Sequence, residues 1–250
     1  MEKTIKKHGM SSEKASRVKQ RGHNKEYLFA DLIGGRTIKG TNKIDVYGKD
    51  GKSYTVKGGG EVKGKEGREG RWQLFMFGKK KFEDEMDFPA RELFLEILNS
   101  FPETREEYDE SPNLYKDKVK ISMVKLKNYL LDKIKMHRFF SKAIFNFSLD
   151  FLVIYHDDIF HIFDREEVLD IFDKVLKVIT NSTMQKVVFQ YQGKIAIEIE
   201  IRKSEGKFPS ILLITNKLKI LQILLDNING FEDKTRNLRA YGKAKDTFSF

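Results

Sequence analysis

Two short runs of strand-forming residues, 43–47 (Lys-Ile-Asp-Val-Tyr) and 53–56 (Ser-Tyr-Thr-Val), flank the tripeptide Lys49-Asp50-Gly51. That order confines the stretch to a tight β-hairpin. Register then decides the chemistry. With Lys49-Asp50-Gly51 as a three-residue loop and Gly51 left-handed, Gly48 pairs with Lys52, Asp45 faces Thr55, and Lys57 follows two residues along the same face. A two-residue Asp50-Gly51 loop instead sets Asp45 across from Val56 and turns Lys57 to the other side. The first register is preferred because it gathers Val46, Tyr54 and Val56 on one core-facing side. Ahead of the hairpin, 25–32 reads as a helix stopped by Gly34-Gly35, with Leu28, Phe29 and Leu32 as its apolar face and Glu26 off that face.

An acid and a lysine on adjoining strands, close behind a helix bearing another acid, suit metal-assisted cleavage of a phosphodiester. Carboxylates hold a divalent ion that acidifies a water, and the ammonium steadies the attacking hydroxide. Glu26, Ile44-Asp45, Thr55-Val56-Lys57 and Trp72-Gln73 together resemble the PD-(D/E)xK nuclease core, and more narrowly the type II restriction endonucleases. The likeness covers the first third of the chain. It implies an Mg2+-dependent, sequence-specific endonuclease acting on double-stranded DNA as a homodimer, and the absence of cysteine fits a cytoplasmic setting. By that resemblance Asp45, Glu26 and Glu61 are the metal-binding carboxylates, and Lys57 completes the catalytic set.

Two positions depart from the pattern. Ile44 replaces the proline, which is harmless. Thr55 stands where the second acid belongs, so another carboxylate is required, and Glu61, Glu66 and Glu69 are the local candidates. Glu61-Val62-Lys63 offers a competing acid-x-lysine alignment, weakened by Gly58-Gly59-Gly60 just before it. Thr55 also keeps open a metal-independent restriction glycosylase with lyase activity. A non-catalytic DNA-binding protein is the third class.

Charge points to nucleic acid independently. Residues 1–81 carry 21 Lys+Arg against 9 Asp+Glu, and the remainder carry 26 against 28, so the whole net charge of +10 resides beside the hairpin. Fourteen of the 18 glycines lie there too, which permits close approach of backbone to a polyanion. Lys43, Lys63, Lys65, Arg68, Arg71 and Gln73 are the candidate DNA contacts, and 1–24 reads as a basic arm. The run 59–66 nearly matches a nucleotide-binding phosphate loop but has Glu66 where Ser or Thr is needed. There is no cysteine, hence no disulfide framework, and no apolar run long enough to span a membrane, so a soluble protein is expected.

Further along, helices are expected over 88–100, within 115–147, over 165–179 and over 217–228, with an acidic loop at 103–112. Hairpins are expected at 151–163, about His156-Asp157-Asp158, and at 185–202, about Gln192-Gly193. His156, Asp157, Asp158, His161 and Asp164 form a His/Asp cluster for which turn chemistry is the simpler account. Ile195, Ile197, Ile199 and Ile201 alternate with Ala196, Glu198 and Glu200, a half-buried strand with its acids outward. A strand is expected at 211–215, and 234–245 is a second basic segment. The fold class is mixed α/β (α+β): a basic arm (1–24), a nuclease core with following helices (25–147), and a C-terminal α+β lobe (148–250) on a largely antiparallel sheet.

Overall fold

A computed structural model describes residues 12–38, 43–58, 71–202 and 208–248, apart from the side chains of 12–19 and 21. Among the described residues the architecture is mixed α/β, with two sheets. The chain begins with α1 (Ser12–Leu32), then β1 (Arg36–Thr37), β2 (Val46–Tyr47), β3 (Ser53–Lys57) and β4 (Arg71–Phe77). Helices α2 (Lys79–Asp84), α3 (Arg91–Asn99), α4 (Arg105–Glu110), α5 (Pro112–Leu130) and α6 (Lys133–Phe145) follow. Next come β5 (Phe151–His156), β6 (Ile159–Asp164), α7 (Arg165–Val175), β7 (Lys177–Thr180), β8 (Val187–Tyr191), β9 (Lys194–Arg202) and β10 (Ser210–Asn216). The chain closes with α8 (Lys217–Asn227), β11 (Phe231–Thr235), β12 (Leu238–Tyr241) and α9 (Ala244–Thr247).

The first sheet has the order β1-β2-β3-β5-β6-β12-β11, and the second β4-β10-β9-β8-β7. In the first, β1, β2 and β3 form an antiparallel meander, and β5 returns through helices to lie parallel to β3. Every pairing in the second sheet is antiparallel. Strands from both sides of residue 147 therefore share each sheet, and the lobe boundary expected there separates no sheet from another. The basic arm expected over 1–24 is helical from Ser12 onward.

Alternation along the strands gives each sheet its buried faces. On the first sheet, Val46, Tyr54, Val56, Phe151, Val153 and Ile162 pack against Phe29, Ala30 and Ile33 of α1 and Ala244 of α9. Its opposite face presents Leu152, Ile154 and Phe163 to the larger core. There α3 and α5–α8 meet the inner face of the second sheet through Val187, Phe189, Ile197, Ile199 and Leu213.

Local chemistry accounts for the departures from expectation. The long helix within 115–147 is two helices, because Asp132 caps the second through Lys135 N (3.1 Å). Thr104 caps α4 where an acidic loop was expected, and two acids, Glu106 and Glu107, sit in its first turn. The helix expected over 165–179 stops at Val175, and 177–180 is strand. The basic run 234–245 forms the end of β11, β12 and the start of α9. Ile195 is exposed because Gln190 pairs with Ile195 while Phe189 pairs with Ile197, leaving Ala196 as the extra residue of a bulge. Among the described residues no helix is long and apolar enough to cross a membrane.

The β5–β6 hairpin resolves the His/Asp cluster. Asp157 and Asp158 occupy its two-residue turn with φ of +47° and +61°, the left-handed pair such turns require. Asp164 caps α7, and His161 is buried, its Nδ1 2.7 Å from the Tyr241 hydroxyl. Among the described residues, no three His, Cys, Asp or Glu side chains form a group able to hold a metal. Burial, with help from Arg239 and His156, lowers the His161 pKa to about 4. The unfolded chain, with a histidine near pH 6.5, takes up this proton first, so stability present above 6.5 is lost as pH falls toward 4, by about 3 kcal/mol in all. Urea midpoints at pH 7 and pH 4.5 check this: His161→Gln, which keeps a partner for Tyr241, should lose less on acidification than the wild type.

Candidate active site

The hairpin adopts the three-residue register. Gly51 N donates to Gly48 O (3.1 Å) with φ of +77°, Gly48 N donates to Lys52 O (2.9 Å), and Lys52 N is held by Asp50 Oδ1 (3.0 Å). Val46 pairs with Tyr54 and Tyr47 with Ser53, which brings Asp45 opposite Thr55. Asp45 Oδ2 then accepts three bonds: from Val56 N (2.7 Å), Lys57 Nζ (2.9 Å) and Thr55 Oγ1 (3.0 Å). The carboxylate is 16% exposed and Thr55 is fully buried. Thr55 thus serves as a donor that fixes Asp45, rather than as a second acid. All three bonds converge on Oδ2, so they orient the carboxylate while Oδ1 stays outside the set.

Lys57 reaches its place through a second element. Its Nζ lies 5.9 Å from the centroid of Trp72, the chain's single tryptophan, at the start of β4. Close approach of an ammonium to an indole face is attractive, so Trp72 supports the lysine from the second sheet.

Lys43, expected to contact DNA, turns inward. Its Nζ donates to Leu74 O (2.6 Å) and Ala143 O (2.7 Å). The reason lies in β4. Gln73 pairs with Ile214 and Phe75 with Leu213, so Leu74 is the extra residue of a bulge and its carbonyl is released from the ladder. Lys43 satisfies that carbonyl and one at the end of α6, and so ties the strand of Asp45 to both. Burial, then repulsion from Lys57, lowers the Lys43 pKa to about 7, against the opposing pull of Asp45 and Glu85. Sequence alone held no signal for this inward turn, because it depends on a bulge 31 residues away.

Glu26 belongs to the packed side of α1. Three residues of helix advance 300°, which leaves Glu26 only about 60° from Phe29, and it lies one turn before Ala30. The apolar face is Phe29, Ala30 and Ile33, whereas Leu28 is 49% exposed. Glu26 is 16% exposed and 2.9 Å from His23 Nδ1. Its neighbour Lys25 presses on Gly58, where a Cβ would come within 2.3 Å of Lys25 Cβ. Helix α1 therefore brings the turn that carries Glu26 to the end of β3. It does so on the Tyr54–Val56 face of the sheet, while Asp45, Thr55 and Lys57 project from the other. Asp45 and Lys57 are joined directly; Glu26 is held by His23.

The remaining expected residues divide simply. Arg71 and Gln73 are exposed on β4, and Arg71 lies 4.0 Å from Glu200. Glu61, Lys63, Lys65, Arg68, Glu66 and Glu69 fall outside the described residues. The chain matches no protein-family model, no curated protein and no solved structure.

Proposed function

We propose that the protein is a divalent-metal-dependent endonuclease that hydrolyses phosphodiester bonds in double-stranded DNA at a specific sequence, as restriction enzymes of the PD-(D/E)xK type do. The observation that carries the reading is the Asp45–Lys57 pair, 2.9 Å apart, with Asp45 just before β2 and Lys57 at the end of β3, braced by Thr55 and Val56. The order of elements supports it: a helix, an antiparallel meander bearing the pair, then a strand parallel to β3 reached through helices. The positive surplus of residues 1–81 favours a phosphate backbone as partner.

Magnesium would suit Asp45 Oδ1, a hard oxygen outside the three-bond set on Oδ2; Glu26, on the opposite face of the sheet and held by His23, is not placed to share that ion. When bound, the ion would acidify a water and neutralise charge on the phosphate. Asp45 orients the attacking water's side of the site, and the Lys57 ammonium stabilises the negative charge that builds on the phosphoryl oxygens. Cutting both strands of a duplex with one site per chain calls for two chains, so action as a homodimer belongs to the proposal.

The test is plasmid DNA incubated with and without magnesium, followed by mapping of fragment ends. Discrete fragments with 5′-phosphate and 3′-hydroxyl ends, in magnesium only, are expected. Cutting in chelator that leaves abasic ends would replace this reading with the glycosylase/lyase one, and intact DNA under every metal would leave a binding protein.

A further inference from the structure

The outer face of the second sheet carries a cleft of about 380 Å³ lined by Arg71, Lys186, Glu198, Glu200, Thr215 and Lys219. Ile197, Ile199 and Ile201 take the opposite, buried side of β9, so Glu198 and Glu200 must point outward together. Lys186 Nζ bridges them, 3.1 Å from Glu198 and 2.5 Å from Glu200, and Arg71 approaches Glu200 from β4. Lys219, at the start of α8, donates to Ile195 O (2.8 Å) at the rim.

We infer that this cleft reads base edges of the DNA duplex and so sets the sequence specificity of the enzyme proposed above; the inference rests on that reading. Three physical arguments carry it. The first is chemical: guanine edges are met by Arg or Lys and the cytosine amino group by Glu or Asp, and both sets stand in one cleft.

The second argument is spacing. Residues two apart on a strand are about 7 Å apart, which is also about two base-pair steps of duplex, so Glu198 and Glu200 could address positions two steps apart. The third is charge. The three cations outnumber the two carboxylates, as a polyanion requires. Before DNA arrives, Lys186 and the two glutamates satisfy one another, and they exchange those bonds for base edges on binding.

Wild type, Glu200→Gln, Glu198→Gln and Lys186→Met are each put through binding selection from a pool of random duplexes and, separately, sequencing of fragment ends cut in magnesium. Circular dichroism confirms that each variant folds. Wild type should enrich one short site. Each variant should lose discrimination at one or two positions of that site by roughly 10- to 100-fold, with its binding to random DNA little changed. A wild type that cuts one site, with variants that choose the same site equally well, overturns this inference and leaves the nuclease standing. Loss of preference in the variants, with no cutting by any of the proteins, keeps the inference and removes the nuclease. A wild type that shows no sequence preference overturns it outright.

Discussion

Asp45→Asn and Lys57→Met should each slow magnesium-dependent DNA cleavage by roughly 10²- to 10⁴-fold, the range seen when a group that meets developing charge or a transferred proton is removed. Asparagine keeps an oxygen for Val56 N and Thr55 Oγ1, so the hairpin is preserved while the negative charge is lost. Methionine keeps the length of Lys57 and its packing near Trp72 but removes the ammonium. The Asp45–Lys57 pair is mostly buried, so each change should also lower stability, by about 1–3 kcal/mol. Activity is therefore compared at a temperature well below each variant's melting point. Thr55→Val provides the graded control: it deletes one of three donors on Oδ2, and should cost activity less than either charged change. Plasmid cleavage at saturating magnesium, beside thermal melting of each variant, reads both quantities. Undiminished cutting by Asp45→Asn or Lys57→Met would remove the pair from the chemistry.

The sequence carried the hairpin because its register depends on local events. Gly51 alone in the loop tolerates φ of +77°, and apolar alternation then sorts Val46, Tyr54 and Val56 from Asp45, Thr55 and Lys57. The β5–β6 and β8–β9 hairpins were legible for the same reason. What escaped is non-local. The parallel joining of β3 to β5 is clamped by Asp150, whose Oδ2 accepts from Ser53 N (2.9 Å) and Oγ (2.8 Å), and nothing near either residue announces the other. Lys43 reads as a solvent-facing lysine until the Leu74 bulge supplies its partner. Glu198 and Glu200 read as a solvated strand face until Lys186 and Arg71 close on them. Glu26 reads as lying off the apolar face once Leu28 is counted into that face; the exposed Leu28 is what a pattern of Leu-Phe-Ala leaves undecided.

Phe139→Ala should destabilise the protein by about 3–5 kcal/mol, the cost of emptying a fully enclosed aromatic site. Phe139 projects from α6 with no exposure and lies 6.4 Å by ring centroid from Phe75 of β4, 6.1 Å from Phe94 of α3, 5.3 Å from Phe140 and 6.4 Å from Phe189 of β8. It therefore joins the second sheet to two helices at a point where rings, not single contacts, fill the volume. Collapse around the void is restricted, because the neighbours are rigid aromatics fixed by one another: Phe82 stacks on Phe94 at 4.9 Å and Phe88 meets Phe75 at 5.3 Å. Phe139→Leu should cost markedly less, since it returns most of the apolar volume and forfeits mainly the ring geometry, which contributes about 0.5–1.5 kcal/mol for each favourable aromatic pair. Urea unfolding followed by fluorescence of Trp72, which packs at the edge of the same core, measures both. A loss below about 1 kcal/mol for Phe139→Ala would mean that the neighbouring rings close the gap, contrary to the rigidity argued here. A loss in the expected range, with Lys57-dependent cleavage retained at low temperature, would separate the core that carries β4 from the charges that β4 brings to the hairpin.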